Sequence, residues 1–340
     1  GGAYPHAPGA TPTDPISPLD AKALVAWDAG QGGRVAPAAQ ALVSTVGWRA
    51  AGVGFVGAND GYTDLAQDFS MDFKYSKATR GNVALTGWLD LPEIKGESNF
   101  DLVLGFGKTP ERALETARLV LSRGARSAGV AFVKSWLGYQ ASVRDLGAAS
   151  VDGGTLFRRS VALLKSMEDK THRGAFVASP SIPWGNHNTD ASGATTPRTK
   201  QVGGYHLVWP RDLYQMATAF LAIGDLKTAK GSLDWLAKVQ IKGPEAGQWE
   251  FGWRKHSKVG SFYQNYWVDG EAYWTGLQMD EVAMPIVLAY RLWRAGALPA
   301  TTGGVGAYWP MVRGAADFVA DFGPWSPQER WEETAGASPS

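Results

Sequence analysis

The pattern of apolar and polar positions changes near residue 108. Before this point, short runs rich in β-branched and aromatic residues are broken by Gly, Asn and Asp, as at the corner Asn59-Asp60-Gly61. This pattern is typical of antiparallel strands with tight turns. The predicted strands are Ala41–Trp48, Val53–Val56, Val83–Leu91 and Phe100–Phe106, and the first 40 residues read mostly as loop.

After residue 108 the apolar positions recur at helical spacing. Pro110–Arg123 carries one apolar face, and a segment around Val130–Leu146 continues the connection. Five further helices are predicted at about 157–169, 211–223, 226–239, 279–295 and 308–321. We therefore expect an α+β chain of several domains, with strands in 1–107, a helical linker in 108–150 and a helical domain in 151–340.

The connections between these five helices differ in length. The second and third helices are joined directly through Gly224-Asp225, and a modest link, Gly296–Gly306, joins the fourth and fifth. If consecutive helices run antiparallel, the long connections emerge together at one end, where binding and catalysis usually occur. The segments expected to meet there are 170–210, 240–278 and 322–340.

The amino-acid composition limits the classes of molecule that the protein is expected to bind. The chain has 15 Trp among 340 residues, and flat aromatic faces suit sugar rings, although they also suit a large core or a protein interface. Net charge is +1 without a long charge run, so neither nucleic acid nor a charged membrane surface is indicated. The absence of cysteine excludes disulfides and thiolate sites. We expect no membrane span, and a bacterial periplasmic or extracellular location.

The candidate chemistry lies in the three long segments. The first ends in Trp209-Pro210-Arg211-Asp212, where Asp212 could cap a helix or could join Arg211 in binding adjacent sugar hydroxyls. The second closes on Asp280-Glu281, which read as helix-start acids. It also holds many aromatic residues that a surface loop does not explain as core: Trp249, Trp253, Tyr263, Tyr266, Trp267, Tyr273 and Trp274.

The third segment contains Trp331-Glu332-Glu333. A carboxyl group held against an apolar face keeps its proton near neutrality, whereas its neighbour can bind or orient a ligand. A solvated pair of glutamates is the alternative interpretation.

These motifs resemble glycoside hydrolase family 15. The run Arg330-Trp331-Glu332-Glu333-x-x-Gly336-x-Ser338-Pro339-Ser340 is similar to its catalytic-acid motif, and Trp209-Pro210-Arg211-Asp212 to its sugar-binding motif. Gln264–Gly270, Tyr273–Glu281 and Pro180–Gly185 resemble the bacterial glucoamylase and glucodextranase branch. The resemblance covers roughly residues 40–340 and implies a β-supersandwich domain followed by an (α/α)6 barrel.

The resemblance also implies a function. Such enzymes release β-glucose with inversion from the non-reducing ends of α-glucans, with α-1,4 or α-1,6 linkages. Glu332 corresponds to the general acid, and Arg211 and Asp212 to the residues that hold the terminal glucose. Trp331 and Glu333 flank the acid at the first subsites. Trp209 belongs to the sugar-binding motif, and Trp274 is the candidate subsite wall.

One departure from the family matters. Inversion needs a second carboxylate about 6.5–9.5 Å from the acid to activate water. In the family that base follows most of the remaining helices, so we expect it outside these residues. The sequence then reads as the end of the sandwich domain and the first part of the barrel. We expect the remainder of the enzyme as a second chain or a missing segment.

Three rival functions stay open. A transglucosylase of the same family would pass glucose to another sugar, a glycoside phosphorylase would need a single carboxylic acid, and a non-catalytic protein would only bind saccharide. No cofactor is expected. A structural calcium ion is possible near Asp60, Asp64 and Asp68, although a turn with solvated carboxylates is the favoured interpretation. The glycine run Gly52–Gly57 is set aside as a dinucleotide site because no helix is predicted after it.

Overall fold

The structure is a computed structural model that describes residues 13–15, 23–28, 37–79, 81–91, 96–181, 204–298, 304–323, 325–326 and 338–339. The described residues fall into two units, one up to residue 135 and one from residue 136 onward. Among the described residues, seven of the eleven strands lie in the first unit, in antiparallel sheets, and five of the eight α-helices lie entirely in the second, which confirms the expected α+β class.

The first unit is built on three antiparallel sheets with strand orders β2-β3-β7, β4-β6 and β1-β5. The strands are β1 (Thr13–Pro15), β2 (Leu24–Asp28), β3 (Ala38–Ser44), β4 (Trp48–Phe55), β5 (Tyr75–Lys77), β6 (Val83–Leu89) and β7 (Leu102–Gly107). Two helices belong to this unit, α1 (Gly61–Asp68) and α2 (Pro110–Arg123).

Small residues let helix α2 lie close to the sheet β2-β3-β7. Ala41 on β3 is paired with Gly105 on β7, and Ala41 is fully buried against Ala113 of the helix. A Cβ atom on Gly105 would stand 2.4 Å from the carbonyl oxygen of Ala113, so only glycine fits there. The opposite face of this sheet contributes Leu24 to a second apolar cluster with Trp48.

Two strand-region predictions were wrong. The run Ala41–Trp48 is not one strand, because β3 ends at Ser44 and β4 begins at Trp48. The backbone N–H of Val46 instead donates to the hydroxyl of Ser44, which gives the chain a local alternative to the ladder. The corner at Asn59-Asp60-Gly61 is the start of helix α1, since the Asp60 carboxylate accepts the amide hydrogens of Tyr62 and Thr63.

A helix therefore does follow the glycine run Gly52–Gly57, contrary to the sequence reading. Strand β4, which precedes that helix, is nevertheless paired antiparallel with β6. A dinucleotide fingerprint requires a parallel βαβ unit. Two glycines of this run serve close packing, because a Cβ atom on Gly52 would stand 2.2 Å from the carbonyl oxygen of Phe73, and one on Gly54 would stand 2.0 Å from that of Asn59.

The helices of the second unit match the sequence pattern closely. The five that follow the linker are α4 (Thr155–Ser166), α5 (Pro210–Ala222), α6 (Leu226–Val239), α7 (Met279–Arg294) and α8 (Val305–Phe322). Each begins and ends within three residues of its predicted limits. Helix α3 (Ala125–Ser142), predicted around 130–146, contains the boundary between the two units.

Helix α5 packs against both α6 and α7, and α7 packs against α8. Their apolar faces form one core with fully buried residues such as Leu213, Leu233, Leu288 and Phe318. The second unit also contains the short antiparallel pairs β8 (Gln248–Phe251) with β9 (Arg254–Ser257) and β10 (Trp325–Ser326) with β11 (Ser338–Pro339). Across the described ranges, no helix has the length and apolar character needed to cross a membrane.

Candidate functional site

The predicted meeting of the long segments is observed in the second unit. Val208, just before α5, forms an antiparallel bridge with Tyr266, and the two residues exchange backbone hydrogen bonds of 2.8 and 3.0 Å. Beyond α8, the Ser326 hydroxyl lies 3.4 Å from both the backbone N–H of Met279 and the carbonyl oxygen of Leu277. Parts of all three long segments thus come together at the start of α7.

Arg211 and Asp212 occupy the first turn of helix α5. Trp209 stands at the N-cap position without a side-chain capping bond, and Pro210 takes the first helical position, where a missing N–H costs nothing. Asp212 is therefore not the N-cap residue, which corrects the capping interpretation. Its carboxylate lies 4.0 Å from Nε of Arg211 and remains 38% exposed, whereas Arg211 is only 12% exposed.

The guanidinium of Arg211 is held by the start of helix α7. Its Nη1 atom donates to Gln278 Oε1 at 3.1 Å and to Asp280 Oδ2 at 3.2 Å. The same nitrogen lies 3.4 Å from Glu281 Oε1. Asp280 and Glu281 were read from the sequence as ordinary helix-start acids. The structure shows that they also form ion pairs with Arg211 across the interface between α5 and α7.

Among the described residues, three carboxylates, those of Asp212, Asp280 and Glu281, lie within 4.0 Å of the Arg211 guanidinium. Burial raises the pKa of Asp212 above its ordinary value, the charge of Arg211 opposes this rise, and the charge of Asp280 adds to it. Within the part of the chain that the structure describes, the second oxygen of Asp280, Oδ1, is buried and has no hydrogen-bond partner.

Aromatic residues lie close in the chain to the charged cluster. Trp209 and Trp274 meet edge to face with ring centroids 6.0 Å apart, and Tyr273 contacts Trp274 at 5.8 Å. Trp209 is buried, whereas Trp274 is partly exposed. The backbone N–H of Trp274 donates to Asn265 Oδ1 at 2.8 Å, which fixes the loop that carries it. Of this pair, Trp274 is the one with exposed ring surface for a ligand.

The loop aromatics that the sequence reading set apart from the core are largely buried. Trp249 is 8% exposed and donates its indole N–H to the Ser261 hydroxyl at 3.0 Å. Tyr266 and Tyr273 are also buried, because strand bridges satisfy the backbone polar groups of this segment and allow it to enter the core. Trp253 differs, since it lies at the tip of the β8–β9 hairpin and is 90% exposed.

Three predicted site residues, Trp331, Glu332 and Glu333, lie outside the described residues. The motif Pro180–Gly185 lies outside them from residue 182 onward. Two contributors were missed by sequence reasoning, Gln278 and Asn265. Both are fully buried polar side chains in a segment already assigned to the functional end. An amide residue immediately before a predicted helix start was the available indication for Gln278.

Asp60 and Asp64 in the first unit have a structural role. Asp60 caps helix α1, and Asp64 Oδ2 accepts the backbone N–H groups of Asp72 and Phe73 at 2.8 and 2.7 Å. Both residues are buried, which corrects the interpretation of them as solvated carboxylates. Among the residues that the structure describes, no group of three or more His, Cys, Asp or Glu is arranged to hold a metal ion.

Comparison with known proteins identifies the class of protein. Residues 153–340 match the model for glycosyl hydrolases family 15, and residues 14–141 match the model for glucodextranase, domain N. The first match covers more than half of the chain, so the chain belongs to glycoside hydrolase family 15.

Within this family, the chain is similar to two glucoamylases. A glucoamylase from Clostridium sp. (strain G0005) is 38% identical over 300 residues, which cover 88% of this chain and 37% of that protein. A crystal structure of a bacterial glucoamylase complexed with acarbose matches with a TM-score of 0.69 at 35% identity. That match covers 88% of this chain and 38% of the solved chain. The chain therefore spans less than two fifths of the length of either relative.

Proposed function

We propose that this protein is an exo-acting α-glucan hydrolase that releases β-glucose from non-reducing chain ends with inversion. One observation carries the proposal: Arg211 is set between the carboxylates of Asp212 and Asp280, close in the chain to the aromatic pair Trp209 and Trp274. The relatives' names, glucoamylase and glucodextranase, supply the substrate class, an α-glucan.

The chemistry of the cluster suits a terminal sugar. Neighbouring hydroxyls on a pyranose ring both donate and accept hydrogen bonds, so a guanidinium flanked by carboxylates offers them complementary partners. The Asp212 carboxylate is exposed enough for a hydroxyl group of the sugar to reach it. The exposed surface of Trp274 suits the apolar face of a sugar ring. These groups would hold the glucose unit whose glycosidic bond is cleaved.

Glu332 is our candidate for the general acid. The chain passes beside Met279 at Ser326, and Met279 directly precedes Asp280. Glu332 follows Ser326 by six positions, and a chain of this length spans at most about 20 Å, so the sequence distance allows Glu332 to act at the cluster. Trp331 would provide the apolar face that keeps its carboxyl protonated, while Glu333 would line a neighbouring subsite. We assign no residue of this chain as the general base.

Product analysis tests the activity. The protein at its full natural length should convert maltotriose or isomaltotriose to glucose, and NMR of the first product should show the β anomer. The ratio of the two rates establishes the preferred linkage. Glucose 1-phosphate formed in the presence of phosphate would indicate a phosphorylase instead, and longer oligosaccharides formed at high maltose concentration would indicate a transglucosylase.

Substitution tests the assignment of the acid. Glu332→Gln should lower kcat on maltotriose at least about a thousandfold because it removes the transferable proton, whereas the affinity for acarbose should persist. Glu329→Gln, three residues earlier in the same segment, is the matched control and should keep its activity. Full turnover by the Glu332→Gln variant would exclude Glu332 as the acid.

A further inference from the structure

Two polar side chains at the start of helix α7 are buried. Gln278 and Glu281 are both fully buried. Burying a carboxylate is costly unless a cation and hydrogen bonds compensate it, and apolar residues of the same size would pack at lower cost. Glu281 lies against Arg211, at 3.4 Å between Oε1 and Nη1. The arrangement therefore points to a role for these groups at the Arg211 site.

Three oxygen atoms converge on a single nitrogen. Gln278 Oε1, Asp280 Oδ2 and Glu281 Oε1 lie 3.1, 3.2 and 3.4 Å from Nη1 of Arg211. The free side chain of arginine samples many rotamers, and its planar group binds well only in the correct orientation. Two hydrogen-bond acceptors, Gln278 Oε1 and Asp280 Oδ2, together with the ion pair to Glu281, fix the position and the orientation of the guanidinium.

The backbone holds Gln278, Asp280 and Glu281 in place around Arg211. Arg211 is the second residue of α5, and Asp280 and Glu281 are the second and third residues of α7, so the two helix starts lie side by side. The backbone N–H of Glu281 donates to the carbonyl oxygen of Gln278 at 3.2 Å, and this bond connects the first turn of α7 to the residue that precedes the helix. The partial positive charge of the α7 N-terminus also favours ionised carboxylates at these positions.

We propose that Gln278, Asp280 and Glu281 are positioning residues that set the orientation of Arg211 for the terminal sugar before the substrate binds. This inference rests on the proposed function, because it assumes that Arg211 holds that sugar. Pre-organisation of this kind contributes to the rate, since a binding group that is already oriented need not be ordered in the transition state. The three residues thus act through Arg211.

The test uses the protein at its full natural length with the variants Asp280→Asn, Glu281→Gln and the double variant. We expect kcat on maltose to fall about tenfold in each single variant and about a hundredfold in the double variant, with a smaller change in KM. Glu250→Gln is the control, because Glu250 is an exposed residue that pairs with Lys255 on the β8–β9 hairpin. It should retain the wild-type kcat.

A double-substitution comparison separates positioning from general loosening of the fold. If Glu281 acts through Arg211, the pair Arg211→Lys with Glu281→Gln should be no slower than Arg211→Lys alone. Analogues of maltose that lack the 4- or 6-hydroxyl of the terminal ring should be discriminated less by Glu281→Gln than by the wild type. Losses that multiply with Arg211→Lys, together with unchanged discrimination, would overturn the proposal.

A structural readout keeps the inference testable without turnover. Crystal structures of the wild type and of the Asp280→Asn, Glu281→Gln double variant should show one orientation of the Arg211 guanidinium in the first and a different or mixed orientation in the second. An unchanged guanidinium in the double variant contradicts the positioning role even when the wild type is active. A wild type that binds and cleaves no glucan contradicts the proposed function instead.

Discussion

The hydroxyl of Tyr139 donates a hydrogen bond of 2.9 Å to the carboxylate of Asp225. Tyr139 belongs to helix α3, and Asp225 caps helix α6 by accepting the N–H of Thr228 at 3.0 Å. Lys165 of helix α4 lies 3.7 Å from the same carboxylate. One acidic side chain therefore connects three helices at the end of α5, away from the residues that hold Arg211.

Removing the hydroxyl of Tyr139 should weaken this connection. We expect Tyr139→Phe to lower the free energy of unfolding by about 1–3 kcal/mol, because it deletes a hydrogen bond to a charged and half-buried partner. Urea denaturation followed by circular dichroism measures the change. Tyr62→Phe is the control, since Tyr62 is 82% exposed in helix α1, and it should leave the midpoint unchanged.

The loss of unfolding free energy in Tyr139→Phe should depend on pH. Burial by itself would raise the pKa of Asp225, but hydrogen bonds from Thr228 and Tyr139 and the charge of Lys165 outweigh it, so the pKa lies below its ordinary value. A lowered folded-state pKa stabilises the protein above the unfolded value, about 4, and this stability is lost as pH falls through the folded value. The penalty of Tyr139→Phe should therefore shrink below about pH 4. An equal penalty at pH 3 and pH 7 would contradict this explanation.

Replacing either of two tryptophans on the β8–β9 hairpin, four residues apart, by alanine should have very different effects on stability. Trp249 packs against Tyr263, lies below the Lys258 ammonium and is buried, so Trp249→Ala should destabilise the protein by about 3–5 kcal/mol. Trp253 is almost fully exposed, and Trp253→Ala should change stability by less than about 0.5 kcal/mol. Thermal unfolding of both variants provides the comparison, and similar melting temperatures would be inconsistent with this packing.

The cap of helix α1 should contribute measurably to the first unit. Asp60→Ala removes the acceptor for the N–H groups of Tyr62 and Thr63, and we expect a loss of about 1–2 kcal/mol in unfolding free energy. Asp68→Ala at the other end of the helix is the control, because Asp68 is exposed and accepts only from Ser70 within the described contacts. Calcium should not change the unfolding of either variant.

The pH below which the protein loses its affinity for maltose, the acid limb of the binding curve, should change when Asp280 is replaced by a neutral residue. The charge of Asp280 raises the pKa of Asp212, while Arg211 lowers it, so Asp280→Asn should lower the pKa of Asp212. Because protonation removes an acceptor for the sugar, maltose binding should then persist to lower pH. Calorimetric titration with maltose in a Glu332→Gln background, which prevents cleavage, measures this limb. A limb that stays in place or moves to higher pH would be evidence against the coupling.

The sequence by itself determined the regular elements of the helical unit and the motif that carries Arg211 and Asp212. Apolar residues at helical spacing must face a core, so α5 and α6 could be located from local pattern alone. The lengths of the connections also predicted which segments meet, because short links force neighbouring helices to alternate in direction.

Only the tertiary structure decided the partners of those residues. Local sequence cannot tell that Asp280 and Glu281 face Arg211 instead of solvent, because helix-start acids satisfy the helix dipole in either case. The sequence reading also placed Trp249 on the surface. This residue is buried because its loop enters the core, where the indole N–H donates to the Ser261 hydroxyl. Periodicity encodes which side of an element is buried, whereas contacts between distant segments arise only when those sides pack together.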